Sequence, residues 1–161
     1  MADRLRDRVA IVTGAGSIGP GWGTGKATSV LFAREGARVF AVDLKLEAAE
    51  ETRALIEGEG GVCRTHRADV AQAGDVAAMV RACLDAFGRV DVLVNNVGIA
   101  VLGGPVEIEE ADWDRVVEVN LKSMYLTTKH VLPVMERQGA GAIVNIDSIA
   151  AIRWTGVPYA S

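Results

Sequence analysis

The stretch "RVAIVTGAGSIGPGWGTGKATSVLFAREG", residues 8 to 36, limits what this chain can fold into more than any other. Its apolar start, Val9 to Val12, reads as a strand buried on both faces, and "KATSVLFAREG" (26 to 36) carries apolar residues at helical spacing. Between them lie Gly14, Gly16, Gly19, Gly21, Gly23 and Gly25. Glycines there let the backbone turn sharply and approach a ligand, while the free N–H groups at the helix start favour an anion such as a pyrophosphate. A glycine pattern alone also fits a merely flexible loop. Its place between a strand and a helix is what gives it a mechanism.

The same alternation continues along the chain. β-type runs occupy 8 to 14, 37 to 43, 62 to 69, 90 to 96 and 141 to 147, and helical patterns over 46 to 60 and 73 to 88 end at glycine. A last helix is expected from Asp112 to about Gln138, with Trp113, Val117, Leu121, Met124, Val131 and Met135 along one side and a bend at Pro133. Strand and helix in alternation imply right-handed crossovers and an α/β, doubly wound parallel sheet of Rossmann type. Residues 1 to 161 read as one dinucleotide-binding domain, truncated after the fifth strand, whose apolar "GAIVNI" is expected as a bare edge.

Composition narrows the function classes. The chain has 161 residues, 50% hydrophobic and 24% charged, with a net charge of -4, so nothing favours a grip on nucleic acid or an anionic membrane. The opening "MADRLRDR" is too charged for a signal-peptide core, and no apolar run is long enough to span a bilayer, so a cytoplasmic location is expected. Cys63 and Cys83 form no CxxC pair and have no His at ligand spacing; they read as reduced core thiols, and no metal site is expected. His66 and His130 are isolated and receive no catalytic role.

Asp43 ends the second strand, where a dinucleotide fold places a carboxylate to accept hydrogen bonds from an adenosine ribose. A 2′-phosphate carries about -1.5 to -2 charges. At 4 Å from a carboxylate, each unit of that charge costs on the order of 1 to 4 kcal/mol near a protein surface. NAD is therefore expected over NADP, with Lys45 offsetting part of the repulsion.

Together these features resemble the short-chain dehydrogenase/reductase family. The likeness runs in order through "TGAG" (13 to 16), Asp43, "DV" (69 to 70), "NNVG" (95 to 98), "VNLKS" (119 to 123) and "IVNIDS" (143 to 148). It implies hydride transfer between a nicotinamide cofactor and an alcohol or carbonyl substrate. By resemblance, Asp69 contacts adenine and Val70 packs beside it, while Asn95, Asn96 and Gly98 hold the central strand and line the cofactor ribose. Gly14, Gly16, Gly23 and Gly25 supply the phosphate loop, which is longer here around Ile18 to Trp22 than the family pattern. Val97 and Asp147 stand where the family has smaller residues. Homo-oligomers built through the long helix are also implied.

The resemblance makes Ser148 the residue that fixes the substrate oxygen and Asn120 the helix Asn that holds a relay water. The family's Tyr, activated by a Lys in Y-x-x-x-K, follows its Ser at a longer spacing than the eleven residues separating Ser148 from Tyr159. Two candidates therefore stand for the phenol: Tyr159, or a Tyr at or beyond Ser161, which the spacing favours. The Lys is absent from the sequence either way, and without it a phenol near pKa 10 stays neutral at pH 7. A dehydrogenase seen in its amino-terminal portion is the first reading. A non-catalytic dinucleotide-binding or interaction module is the second, and an enoyl reductase, suggested by the long loop, the third.

Overall fold

The computed structural model describes residues 3–151, 153, 156, 159 and 160. Strands β1 (Val9–Thr13), β2 (Arg38–Asp43), β3 (Val62–Arg67) and β4 (Val92–Asn95) alternate with helices α1 (Thr24–Arg34), α2 (Leu46–Gly58) and α3 (Ala73–Phe87). Then follow β5 (Val101–Leu102), α4 (Glu110–Val117), a π-helical turn at Glu118–Lys122, α5 (Ser123–Gln138), β6 (Ala142–Asn145), a 3-10 turn at Ile149–Ala151 and β7 (Tyr159–Ala160). The order β3-β2-β1-β4-β6 makes one parallel five-stranded sheet, the α/β doubly wound fold expected from the alternation. The antiparallel β5–β7 pair, Val101 with Ala160 and Leu102 with Tyr159, has no counterpart in that expectation.

Side-chain alternation along the strands divides the core between two faces. Val9 and Ile11 of β1, Phe40 and Val42 of β2 and Leu93 of β4 pack with Val76, Met79, Leu126 and Val131 from α3 and α5. Val12, Val39, Ala41 and Val94 point the other way and meet Val30 of α1 and Ile56 of α2. Each Val, Leu, Ile, Phe or Met among them contributes roughly 1.5–3 kcal/mol when fully buried. The helices stop as the glycines indicate: Gly88 and Gly139 cap α3 and α5 at φ of 76° and 71°. Cys63 and Cys83 are buried free thiols, each pushed up to about 12 by burial, so neither is a nucleophile.

The long helix departs from its expected form. It leaves α geometry at Glu118–Lys122, whereas Pro133 lies inside α5. The extra residue in that turn changes the helix phase. The single apolar side drawn from Trp113 to Met135 is therefore two faces. Val131 and Met135 are buried, as are Val116 and Val119, while Trp113, Val117 and Leu121 are exposed.

At the opposite, amino-terminal end of the sheet, Asp91 is 5% exposed. Its carboxylate accepts hydrogen bonds from Arg89 Nη2 at 2.6 Å, Arg89 Nε at 2.8 Å and the Val9 N–H at 2.9 Å, with Arg8 Nη1 at 3.4 Å. Burial alone raises the Asp91 carboxyl. The Arg89 and Val9 hydrogen bonds outweigh it, so the group sits below its ordinary range. A depressed carboxyl stabilises the fold above its unfolded value of about 3.9, and that stability is lost as pH falls through the folded value. Asp91→Asn is expected to lose about 1–3 kcal/mol at pH 7, the scale of hydrogen bonds to a charged group. It should also flatten the decline in stability below about pH 4; urea unfolding of both proteins at pH 7 and pH 3 checks both parts.

Candidate functional site

The carboxyl ends of β1, β2, β3 and β4 meet at one crevice, and the start of α1 lies beside it, with Gly25 against the Gly14 carbonyl. Its lining includes Gly14, Asp43, Leu44, Ala68, Asp69, Val70, Val97, Ile99, Arg115 and Val119. Four of the expected cofactor residues, Gly14, Asp43, Asp69 and Val70, thus share one surface. Leu44, Val70 and Val119 offer apolar walls with carboxylates beside them, a setting suited to a flat heteroaromatic base joined to a hydroxyl-bearing sugar.

The glycine turn is built by close contact. A Cβ on Gly25 would overlap the Gly14 carbonyl oxygen and lie 2.6 Å from Asn96 Nδ2. Gly14 itself has φ of 61°, a left-handed conformation. Asn96 locks this turn to β4: its Nδ2 donates to Thr13 O at 3.2 Å and Gly14 O at 3.1 Å, and its N–H donates to Thr13 Oγ1 at 3.2 Å. Ser17 closes the long part of the loop, accepting from Gly23 N at 2.7 Å and donating to Gly21 O at 3.2 Å.

Gly23 caps α1 without any side-chain hydrogen bond, and the first turn of α1 carries no acidic residue, whereas Glu47, Asp75 and Glu110 occupy the first turns of α2, α3 and α4. The positive end of α1 is left for an external anion. Asp43 reaches the same loop. Its Oδ2 accepts from Gly16 N at 2.9 Å and its Oδ1 from Lys45 N at 3.0 Å, and each oxygen keeps a lone pair for a ribose hydroxyl. Asp69 uses Oδ1 on the Ala71 N–H at 3.0 Å, and no bond to its Oδ2 forms among the described residues.

The remaining expected residues are placed differently from one another. Asn95 turns into the core: its Nδ2 donates to Asn145 Oδ1 at 2.8 Å, and its Oδ1 accepts from Thr127 Oγ1 at 2.7 Å. Asn120, in the π turn, accepts from Ile99 N and donates to Ile99 O, both at 2.8 Å, beside Gly98. Ser148 lies exposed past β6, accepting from Ala150 N at 3.2 Å, and its N–H donates to Asp147 Oδ1 at 2.7 Å. The Tyr159 backbone pairs with Leu102; its side chain, and Ser161, lie outside the described residues. Ser17 in the loop and Arg115 on the crevice lining are residues that sequence reasoning does not single out, because a lone Ser or Arg leaves no pattern in a single sequence. Among the described residues no cluster suited to a metal forms, and no helix is long and apolar enough to cross a membrane.

A parallel sheet of this order with a glycine turn between its first strand and helix defines a protein of Rossmann-type fold. The sequence pattern of the short chain dehydrogenase family matches residues 8–161, and the chain belongs to that family, whose members use NAD(P). It is 42% identical over 148 residues to D-threitol dehydrogenase of Mycolicibacterium smegmatis, covering 92% of this chain and 55% of that enzyme. The solved structure of a short-chain dehydrogenase/reductase from Burkholderia xenovorans superposes with a TM-score of 0.94 at 50% identity, covering 96% of this chain and 62% of that one. A metagenomic short-chain oxidoreductase solved with NADP gives 0.85 at 35% identity, covering 94% of this chain and 66% of that one. The chain spans between 55% and 62% of the length of the curated relatives it matches.

Gly25→Ala is expected to destabilise the fold by about 1–3 kcal/mol, the cost of forcing a methyl into a packed contact. Gly19→Ala, where a Cβ meets nothing within 4 Å, should stay close to wild type in the same urea titration.

Proposed function

We propose that this chain is the cofactor-binding portion of an NAD-dependent oxidoreductase acting on an alcohol or carbonyl substrate. The observation that carries the reading is Asp43, which meets the glycine loop through the Gly16 N–H and lines the crevice shared with Asp69 and Val70. A bound NAD would supply the hydride chemistry at its nicotinamide. Residues of this chain would hold its phosphates at the start of α1, its adenosine ribose at Asp43 and its base between Leu44, Val70 and Val119.

Ser148 is the group we assign to the substrate oxygen. Its hydroxyl oxygen already accepts the Ala150 N–H, which leaves the hydroxyl proton to be donated. Asn120 is assigned a positioning role, since both polar atoms of its side chain are committed to Ile99. A Tyr activated by a Lys completes the proposed set in the whole protein. The proposal includes a cytoplasmic location and a homo-oligomer, the latter supported by Trp113, Val117, Leu121 and Tyr125, exposed apolar residues of α4, the π turn and α5.

Calorimetric titration with NAD and NADP tests the reading. Wild type is expected to bind NAD more tightly, and no binding of either cofactor at millimolar concentration would sink it. Asp43→Asn keeps an acceptor for Gly16 while removing the charge. Its NAD over NADP ratio should fall at least about tenfold, given on the order of 1 to 4 kcal/mol per unit charge.

For the oligomer, Leu121→Asp in the complete protein should shift sedimentation towards monomer. Unchanged assembly of that variant would remove the face of α4 and α5 from the proposal.

A further inference from the structure

We infer that Arg115 is an adenine-holding residue, whose guanidinium stacks on the base at the open rim of the crevice; the inference rests on the nucleotide reading above. Arg115 lies in the last turn of α4 and is the single cation among the described residues that line the crevice. Val119, four positions on, lines the same crevice, so one edge of the helix faces the slot at two successive levels. Across from it stand Leu44, Val70 and the carboxylate of Asp69.

The chemistry of the slot asks for such a group. A purine base has two flat faces; apolar side chains can cover one, and a planar guanidinium is suited to lie against the other. Asp69, with its free Oδ2, suits the amino edge of adenine, while Arg115 supplies donors and a delocalised positive charge. The other charged residues on this lining, Asp43 and Asp69, are both acids, so removing Arg115 would leave the adenosine half beside carboxylates alone.

Arg115 is also tethered to the next turn of its helix. Its Nη1 donates to Glu118 Oε2 at 3.3 Å, and Glu118 Oε1 accepts from Lys122 Nζ at 2.9 Å. Glu118 is absent from the crevice lining, so it acts as a strut on Arg115. An ordinary surface ion pair at this spacing would have no effect on nucleotide binding. That contrast is what the experiment reads.

Isothermal titration of the protein with NAD, ADP-ribose and nicotinamide mononucleotide separates the adenine half from the other half. Arg115→Ala should weaken NAD and ADP-ribose by about five- to thirtyfold and leave nicotinamide mononucleotide unchanged. Arg115→Lys keeps the charge and loses the plane, so it should recover only a small part. The ratio of wild type to Arg115→Ala should persist from low to high salt, because stacking is short-ranged. Glu118→Gln should weaken NAD about two- to threefold.

Equal affinity of Arg115→Ala and wild type for ADP-ribose overturns the inference. So does an equal loss for nicotinamide mononucleotide, or full recovery by Arg115→Lys. Absence of NAD binding by wild type would overturn the nucleotide reading itself, and so is distinct from these results.

Discussion

The contact between Gly14 and Gly25 is the constraint on which the rest depends. Only hydrogen at the Gly25 Cα lets the first turn of α1 rest against the Gly14 carbonyl. That closeness sets where α1 begins and therefore where its unpaired amides point. Asn96 reads the same contact from the other side, since one side-chain amide bonds both Thr13 and Gly14 carbonyls. β1, α1 and β4 are thereby fixed to one another within a few ångströms. A looser turn would still connect strand to helix, but it would not aim the helix at the crevice.

Electrostatics follow from that arrangement. The carboxyl ends of the strands carry Asp43 and Asp69, and the start of α1 carries the compensating positive end with no acid to satisfy it. The crevice thus separates an anion-favouring corner from a hydroxyl- and amine-favouring wall. A dinucleotide has groups of those kinds in that order. The amino-terminal side of the sheet has the opposite character: Asp91 is saturated by Arg89, Arg8 and the Val9 amide, which makes it a structural carboxylate with no acceptor capacity directed at a ligand.

Much of this was legible in the sequence for a physical reason. Buried parallel strands and amphipathic helices write their periodicity into local composition, so β1, β2, β4, β6 and α1 to α3 stand within a few residues of their expected bounds. Gly14, Asp43, Asp69 and Val70 could be placed together because strand ends in such a sheet lie on one edge. Asn95 was harder. An Asn at a strand end reads as ligand-facing, yet period-two alternation turns it inward to Thr127 and Asn145, residues distant in sequence. Arg115 and Ser17 act through contacts that no local pattern encodes. The β5–β7 pair depends on two residues at each side, too few to write a period.

The π turn shows how a helix reconciles two incompatible demands. Ahead of it, α4 must offer Arg115 and Val116 to one set of neighbours; beyond it, α5 must set Leu126, Val131, Val134 and Met135 against the sheet. A continuous 3.6-residue period cannot align both faces, and the extra residue at Glu118–Lys122 supplies the change of phase. Asn120 sits at that change. Its side chain matches the N–H and the C=O of Ile99 together, so it holds the chain leaving β4 as a second strand would. A Leu at this position would leave the Ile99 amide and carbonyl unpaired in a partly buried place, at a cost of about 1–3 kcal/mol for each. The polar residue in mid-helix, unfavourable by propensity, is thus explained by backbone that belongs to another element.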